Sequence, residues 1–225
     1  MKAPVWVTMA IAFVLVFLIP IIFGQIMVAG LAKLHLSPRV AVTLVIAIIF
    51  GGLINIPFKR IVRTDEVEDH PFTYLGFHQM WPSRRRVRRE TIIAVNLGGC
   101  IIPTGLALYE LFHLAAFGPN MLLLVAAAAG ANIYVCYLIA RPVPQVGVVI
   151  PGLVPPLIAA ALALLFGGEA ASPFAFIVGI AGPLVGADLL HLREIEETAV
   201  GVASIGGAGT FDGIVLSGIL AAYIA

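Results

Sequence analysis

Charged side chains are scarce in this sequence: they make up 11% of its 225 residues, whereas 61% of the residues are hydrophobic. With a mean hydropathy of +1.08, the chain has too few polar side chains to cover its own apolar surface in water. This composition argues against a soluble enzyme domain. It favours an integral membrane protein whose main partner is membrane lipid.

Cysteine and excess charge are also nearly absent. Cys100 and Cys136 are the two cysteines, and both lie inside apolar segments without a CxxC pair, which argues against a disulfide framework and a zinc site. The net charge is only +1, and the basic residues are concentrated in one loop rather than spread along a groove. Nucleic acid is therefore not an expected partner, and we expect no cofactor and no resident metal.

The apolar sequence divides into segments near the length that crosses a bilayer, which is about 20 residues. Prolines and glycines interrupt several of them, and the stretch RPVPQVGVVIPGLVPP (residues 141–156) cannot form a regular helix. We therefore predict an all-α membrane protein, a single domain of about seven transmembrane helices with broken segments, whose spans cover residues 5–31, 38–57, 97–116, 120–140, 155–166, 172–191 and 211–225.

The loop of residues 58–90 carries eight of the thirteen Lys and Arg residues. The positive-inside rule makes this loop cytoplasmic, which predicts a multi-pass cell-membrane protein with its amino terminus inside and its carboxyl terminus outside. Only the turn with Lys33 and Arg39 disagrees. The RRRVRR run is best explained as a topology signal that contacts anionic headgroups. Alternating residues in KRIV and TIIAV would also allow a short antiparallel β-ribbon.

Three acidic residues fall within the predicted spans, where an unpartnered carboxylate costs a few kcal/mol: Glu110, Asp188 and Asp212. The thirteen residues after Asp212 reach roughly 20 Å as a helix, which is short of the hydrocarbon core, so Asp212 is expected to be submerged. Asp188 lies at a similar predicted depth, roughly 24 Å along the preceding span. Consecutive helices are often antiparallel neighbours, so both carboxylates could face one another near the cytoplasmic side.

Simpler explanations exist for each of these carboxylates. Asp212 follows the flexible SIGGAGT sequence and could be an ordinary N-cap. Asp188 could pair with Arg193 or His191 at the end of its helix. A metal site formed by Asp188, His191, Glu194 and Asp212 is a weaker alternative, because one histidine with mixed oxygen ligands is a poor metal signature.

Other polar residues suggest interhelical contacts and a cavity. Glu110 and His113 are three residues apart and are expected to pair or meet water, while the amide of Asn132 must find a partner across helices. The interrupted segments NLGGCIIP, 142–156 and SIGGAGTFDG lie on the side predicted to be cytoplasmic, which favours a cavity opening there. The candidate catalytic residues are Asp188 and Asp212, and the candidate substrate-binding residues are Gly207, Gly209, Thr210, Asn96 and Pro151.

Four motifs carry a resemblance to a known family: VNLGGCIIP (95–103), RPVPQVGVVIPGLVPP (141–156), GADLLHL (186–192) and SIGGAGTFDGIVLSGILA (204–221). In these motifs the chain resembles the prokaryotic membrane proteins grouped as domain of unknown function family 1614. This resemblance implies no chemistry, and it supports reading the segments as one unit.

A second resemblance is to intramembrane aspartyl proteases of the presenilin, signal-peptide-peptidase and prepilin-peptidase type. Those enzymes carry one Asp near the cytoplasmic end of a span and another after a Gly-rich turn, and Asp188 and Asp212 match that order. The usual Gly-x-Gly-Asp is replaced here by Gly-x-Gly-Thr-Phe-Asp, and the downstream Pro-Ala-Leu element has no counterpart. The resemblance implies acid–base hydrolysis of a transmembrane peptide.

Two alternatives to a hydrolase remain open from the sequence. A small transporter or ion-coupled permease would use the same aspartates as proton or cation ligands and the broken helices as gates, although no convincing internal repeat supports it. A binding or scaffold protein is the third. The sequence fixes neither the substrate nor the oligomeric state.

Overall fold

A computed structural model of the protein describes residues 4–14, 18–68, 84–143, 147–198 and 201–225. The described chain is mostly helical, as the sequence predicts. Three helices are long and apolar enough to cross a membrane, and four shorter apolar helices accompany them. The three long helices are Leu97–Phe117, Pro119–Ile139 and Gly168–Leu189, and the shorter ones are Ile21–Ala32, Pro38–Gly51, Val154–Phe166 and Gly213–Ile224.

The positions of proline and glycine explain where most of the helices begin and end. A proline occupies the first turn of several of them, where its missing N–H is not needed, and a glycine follows the end of others. In chain order the α-helices are α1 (Val5–Phe13), α2 (Ile19–Ala32), α3 (Pro38–Gly51), α4 (Ile102–Leu114), α5 (Pro119–Ile139), α6 (Val154–Phe166), α7 (Ala171–Ala181), α8 (Leu192–Thr198) and α9 (Gly213–Ile224).

Two π-helical segments widen the helical path next to α4 and α7. Leu97–Ile101 leads into α4, and Gly182–Leu189 continues α7. Both segments contain glycines that permit close backbone contact: Gly98 lies against the end of α3, and Gly186 lies against α5. Such segments are often found at functional sites.

The sheet is larger than the short ribbon that the sequence predicts. The strands are β1 (Asn55–Glu68), β2 (Arg84–Asn96), β3 (Arg141–Val143), β4 (Gly147–Val149) and β5 (Gly201–Ile205). β1 and β2 form an antiparallel ribbon that includes the predicted pairing of KRIV with TIIAV. β5 pairs in parallel with β2, which gives the order β1-β2-β5, while β3 and β4 form a separate hairpin.

The second predicted span, residues 38–57, is too long, because β1 begins inside it at Asn55. That span was expected to continue to Pro57, but α3 ends at Gly51 because the chain turns there and enters β1 at Asn55. The start of β2 at Arg84 likewise places part of the expected loop in a strand. In the first predicted span, Pro20 lies in the first turn of α2. The break expected there adjoins residues 15–17, which lie outside the described residues.

Helix α7 forms the centre of the bundle and is buried from Pro173 to Ile180. It packs against α4, α5, α6 and α9. Small residues permit its close approach to α9: a Cβ on Gly179 would stand 2.7 Å from the Ser217 carbonyl oxygen, and one on Gly218 would meet the Ile180 side chain. This packing brings the carboxylate that follows α7 next to the one that precedes α9.

Candidate active site

Asp188 and Asp212 line one cavity. Asp188 lies near the end of the Gly182–Leu189 segment, and Asp212 caps the amino terminus of α9. Both side chains are partly buried. Both line a cavity of about 610 Å³. The structure thus places both predicted aspartates on the wall of the same cavity.

The glycine-rich turn between β5 and α9 donates backbone hydrogen bonds to both carboxyl groups. The N–H of Gly206 donates to Asp188, and the N–H of Ala208 donates to Oδ2 of Asp212 over 3.3 Å. Gly206 and Gly209 have φ angles of +71° and +60°, which glycine adopts without strain. Because one short turn supplies donors to both groups, its position sets the position of the pair.

Asp212 also confirms the simpler N-cap explanation. Its Oδ1 accepts a hydrogen bond from the N–H of Ile214 over 3.0 Å, as an N-cap side chain does. The capping role leaves Oδ2 directed at the turn and the side chain on the cavity wall. Capping and membership in the carboxylate pair are therefore compatible.

Glycine contacts position the turn against two other elements. Gly99 in the first π-helical segment lies against Gly206, so that a Cβ on Gly99 would overlap the Gly206 carbonyl group. Gly209 lies against Gly52 at the end of α3, where a Cβ would stand 3.0 Å from the Gly52 Cα. Backbone packs directly on backbone at both points, so the turn has little freedom to move.

A chain of side-chain hydrogen bonds ties the sheet to this turn. Asn55 Oδ1 accepts from Ser204 Oγ over 2.6 Å and from Asn96 Nδ2 over 3.0 Å. Asn96 also donates to the Gly52 carbonyl over 2.8 Å and accepts from the Gly99 N–H over 2.7 Å. These contacts link β1, β2 and β5 where the strands approach the cavity.

The remaining walls of the cavity are mainly apolar backbone and side chains. They come from β5 with the following turn, from β4 with the residues after it, and from the start of α9. Asn55 and Ser204 are the polar side chains that join the two carboxylates among the described lining residues.

Of the five candidate substrate-binding residues, two lie at or beside the cavity wall and three lie away from its lining. Gly207 lines the cavity, and Pro151 is exposed between the lining residues Ile150 and Gly152. Asn96 is fully buried and holds backbone groups in place, so its contacts are structural. Gly209 is buried against α3, and Thr210 is partly buried beside it. Sequence reasoning overlooked Asn55, since it belongs to no recognisable motif.

The expected partners of Asp188 at its helix end are engaged elsewhere. The His191 ring lies 3.1 Å and 3.0 Å from the carbonyl oxygens of Gly186 and Ala187 through Nδ1. Arg193 pairs with Glu197 over 3.2 Å on the exposed face of α8. The alternative that Asp188 pairs with either residue is therefore wrong. Among the described residues, no group of three His, Cys, Asp or Glu side chains is arranged to hold a metal ion.

Glu110 is the third acidic residue of the predicted spans, and it lies at the other end of its helix from the aspartates. It is fully buried, and its Oε2 lies 2.8 Å from His35 Nδ1 in the turn between α2 and α3. The expected pairing with His113 is wrong: His113 Nδ1 lies 2.9 Å from the Tyr109 carbonyl oxygen, and its ring stacks on His35. The expectation that Asn132 bridges helices is confirmed, because it donates to the Val178 carbonyl over 2.9 Å.

A family model described as Protein of unknown function (DUF1614) matches residues 48–224, which include every element of this site. No curated protein and no solved structure matches the chain. The chain belongs to the DUF1614 family, as the motifs in the sequence predict.

Proposed function

We propose that this member of the DUF1614 family is an intramembrane hydrolase of the aspartyl-peptidase type, with Asp188 and Asp212 as its catalytic pair. The observation that carries the proposal is that the two carboxylates line the wall of one cavity, on elements that pack against each other. Carboxylates at membrane depth are costly and are seldom present without a function. A pair that faces an open cavity has the arrangement needed to activate water.

Acid–base hydrolysis follows from the proximity of the two groups. Two carboxylates at close range share one proton, because ionising both is unfavourable. The ionised carboxylate would take a proton from a water molecule as that water attacks the peptide carbonyl carbon. The protonated partner would donate to the carbonyl oxygen, which gives a tetrahedral diol. On collapse, the carboxyl that took the water proton would give it to the leaving nitrogen, and its partner would take a hydroxyl proton from the diol, so that the amine and the new carboxylic acid are released and the pair is restored. The proton belongs to the pair rather than to one residue.

The glycine turn supplies the positioning that this chemistry requires. The N–H groups of Gly206 and Ala208 each donate to one carboxyl oxygen, which fixes the orientation of both side chains. Rigid placement of reacting groups accounts for a large part of enzymatic rate enhancement. The direct packing of Gly206 on Gly99 and of Gly209 on Gly52 supplies this rigidity.

The proposed membrane arrangement has seven spans, with the amino terminus cytoplasmic and the carboxyl terminus outside. In this arrangement the four shorter apolar helices also cross or enter the bilayer, together with the three long ones. The basic β1–β2 ribbon then lies in the cytoplasm, on the same side as the aspartate pair. Substrate would be a transmembrane peptide cut near its cytoplasmic end.

The test is cleavage of membrane-tethered reporter peptides by the purified protein in liposomes. Asp188→Asn and Asp212→Asn should each lower the cleavage rate by a factor on the order of 10³ or more, because each removes one member of a cooperating pair. Glu169→Gln is the matched control, since it also neutralises a carboxylate but lies exposed in the turn before α7. Equal cleavage by all four proteins would reject the proposal.

A small ion-coupled transporter is the second candidate, favoured by the two π-helical segments that flank the carboxylates. Interrupted helices commonly form ion and substrate sites in transporters. Proton-coupled uptake of solute into the same liposomes, lost in Asp188→Asn and Asp212→Asn and without peptide cleavage, would support the transporter and exclude the peptidase.

A further inference from the structure

A second cavity lies between α3 and α4 and, among the described residues, shares none of its lining with the cavity of the aspartates. It has a volume of about 420 Å³, and its apolar walls include Val40 and Leu44 of α3 and Ile102 and Leu106 of α4. Val40 is 45% exposed, so this α3–α4 groove opens at the molecular surface. Its α4 wall belongs to the apolar helix Leu97–Phe117, which is long enough to cross a membrane, so the groove borders lipid.

The end of the groove near the α2–α3 turn is polar. His35 and Ser37 from this turn and Tyr109 from α4 line it. The Tyr109 hydroxyl donates a hydrogen bond to the His35 carbonyl oxygen over 3.3 Å, which ties α4 to the turn. Tyrosine is common at the level of lipid headgroups, because its ring is apolar and its hydroxyl is polar. The groove therefore has the layout of an amphipathic ligand, with one polar end and an apolar length.

The turn at this polar end is basic. Lys33, His35 and Arg39 fall within seven residues of the chain, and all three are exposed. Lys33 Nζ donates to the Tyr223 carbonyl oxygen over 2.6 Å, and its ammonium group has two further N–H donors. Among the residues that the structure describes, neither Lys33 nor Arg39 forms an ion pair with an acidic side chain. Their charge is therefore available to an anionic ligand.

The carboxylate that contacts this turn is buried inside the protein. Glu110 is fully buried, and its Oε2 lies 2.8 Å from Nδ1 of His35. The His35 ring also stacks on the His113 ring, with the ring centroids 5.2 Å apart. These two contacts hold the His35 ring in one orientation. Because the carboxylate engages Nδ1, a ligand at the polar end would use Nε2.

The proposed membrane arrangement leaves the charges of this turn without a role. In that arrangement the α2–α3 turn lies outside, and Lys33 and Arg39 are the exception to the positive-inside rule. Basic residues beside a membrane attract anionic lipids. An anionic headgroup next to the turn accounts for both residues, and the adjoining apolar groove accounts for an acyl chain of the same lipid.

We infer that the α3–α4 groove is a binding site for an anionic phospholipid, whose phosphate lies against Lys33, His35 and Arg39 and one of whose acyl chains lies between α3 and α4. The inference concerns lipid binding and does not depend on the peptidase proposal. Bulk lipid that passes through the groove without recognition of its headgroup is the alternative that the experiment separates.

The experiment uses the full-length protein in phosphatidylcholine liposomes. Phosphatidylglycerol or phosphatidylcholine with the same photoreactive acyl chain is added as a minor component, and the cross-linked residues are identified by mass spectrometry. Because the probe is scarce, the cross-linking yield follows occupancy of the site. Phosphatidylglycerol should label the groove at least about fivefold more than phosphatidylcholine does, the equivalent of one basic residue beside an anionic headgroup.

Two pairs of variants test the headgroup and the acyl chain separately. Arg39→Gln should lower the labelling of the groove by phosphatidylglycerol about fivefold, whereas Arg141→Gln, which removes an exposed charge on β3, should leave it unchanged. Val40→Trp places a bulky ring in the groove and should reduce its labelling by both probes to the level on the exposed face of α5. Val42→Trp is the control, because Val42 is also 45% exposed on α3 but lies outside the groove.

Selective labelling that Arg39→Gln and Val40→Trp reduce, and that both controls keep, supports the lipid site. Equal labelling by the two probes overturns the inference, because the groove then holds lipid without regard to its charge. The inference is also overturned if Arg39→Gln matches Arg141→Gln, or if Val40→Trp matches Val42→Trp. No readout depends on peptide cleavage, so the lipid site and the peptidase proposal stand or fail separately.

Discussion

Gly99→Ala is a sharp test of the idea that backbone packing positions the aspartate pair. Neither Gly99 nor its neighbour Gly206 carries a side chain, and neither is a catalytic group. A Cβ on Gly99 would overlap the Gly206 carbonyl oxygen and would stand 2.9 Å from its carbonyl carbon. Ordinary contact begins at 3.4 Å, so the two backbones must separate by at least about 0.5 Å, and by more to clear the oxygen.

The displaced residue is Gly206, whose N–H orients Asp188. Gly206 donates its N–H to that carboxylate, and the N–H of Gly99 is itself held by a hydrogen bond to the Asn96 side chain. A misplacement of about 1 Å at a reacting group can lower a rate about a hundredfold. We therefore expect Gly99→Ala to cleave the reporter about tenfold to a hundredfold more slowly than wild type, and to lose about 1–3 kcal/mol of stability through overpacking.

The assay compares Gly99→Ala with Gly105→Ala, which lies on the adjoining helix α4. A Cβ at Gly105 would meet no atom within 4 Å, so this control adds the same methyl group without a clash. It should keep the wild-type rate and should match or slightly exceed wild-type thermal stability in detergent. If Gly99→Ala equals Gly105→Ala in both measurements, the turn is not held by this contact and the positioning argument is refuted.

Two further predictions concern buried polar contacts away from the aspartates. His35→Ala leaves the buried Glu110 carboxylate without its partner and should lower the free energy of unfolding by about 1–3 kcal/mol, and adding Glu110→Gln should restore part of the loss. Denaturant unfolding in detergent checks this, and a loss that Glu110→Gln deepens would contradict it. Asn132→Ala removes the hydrogen bond from α5 to α7 and should cost about 1 kcal/mol in the same assay. Asn120→Ala, exposed at the start of α5, is its control, and an equal effect of both substitutions would contradict the prediction.

The carboxylate pair can be predicted from the sequence because the prediction depends only on how far along its helical segment each aspartate lies. Helical rise is constant, so the positions of Asp188 and Asp212 along their segments place both near one side of the bilayer. The π-helical path from Gly182 to Leu189 shortens the rise only slightly, and the close packing of α7 on α9 completes the meeting. The basic loop and the alternating residues on both sides of it were likewise sufficient to predict the ribbon.

The rest of the site depends on contacts between segments distant in the sequence. β5 follows α8 by only a few residues and contains Gly201 and Ala203, which have low strand propensity, so its pairing with β2 has no local signal. The partner of Glu110 could not be identified either, because His35 is 75 residues away and His113 is on the same helix. Asn55 became part of the cavity only because α3 ends before the expected position.

Because β2 pairs with β5 as well as with β1, two neighbouring strands set its register. β2 pairs with β1 along its whole length, with one register shift between Pro57 and Lys59, and its residues 91–95 also pair with β5. A strand repeats every two residues, so inserting or deleting a single residue in β2 would reverse the facing of its side chains toward both neighbours. A single-residue insertion near Thr91 must therefore be absorbed by a bulge, as the extra residue between Pro57 and Lys59 is, or it shifts the ribbon relative to β5 and the carboxylates beyond it.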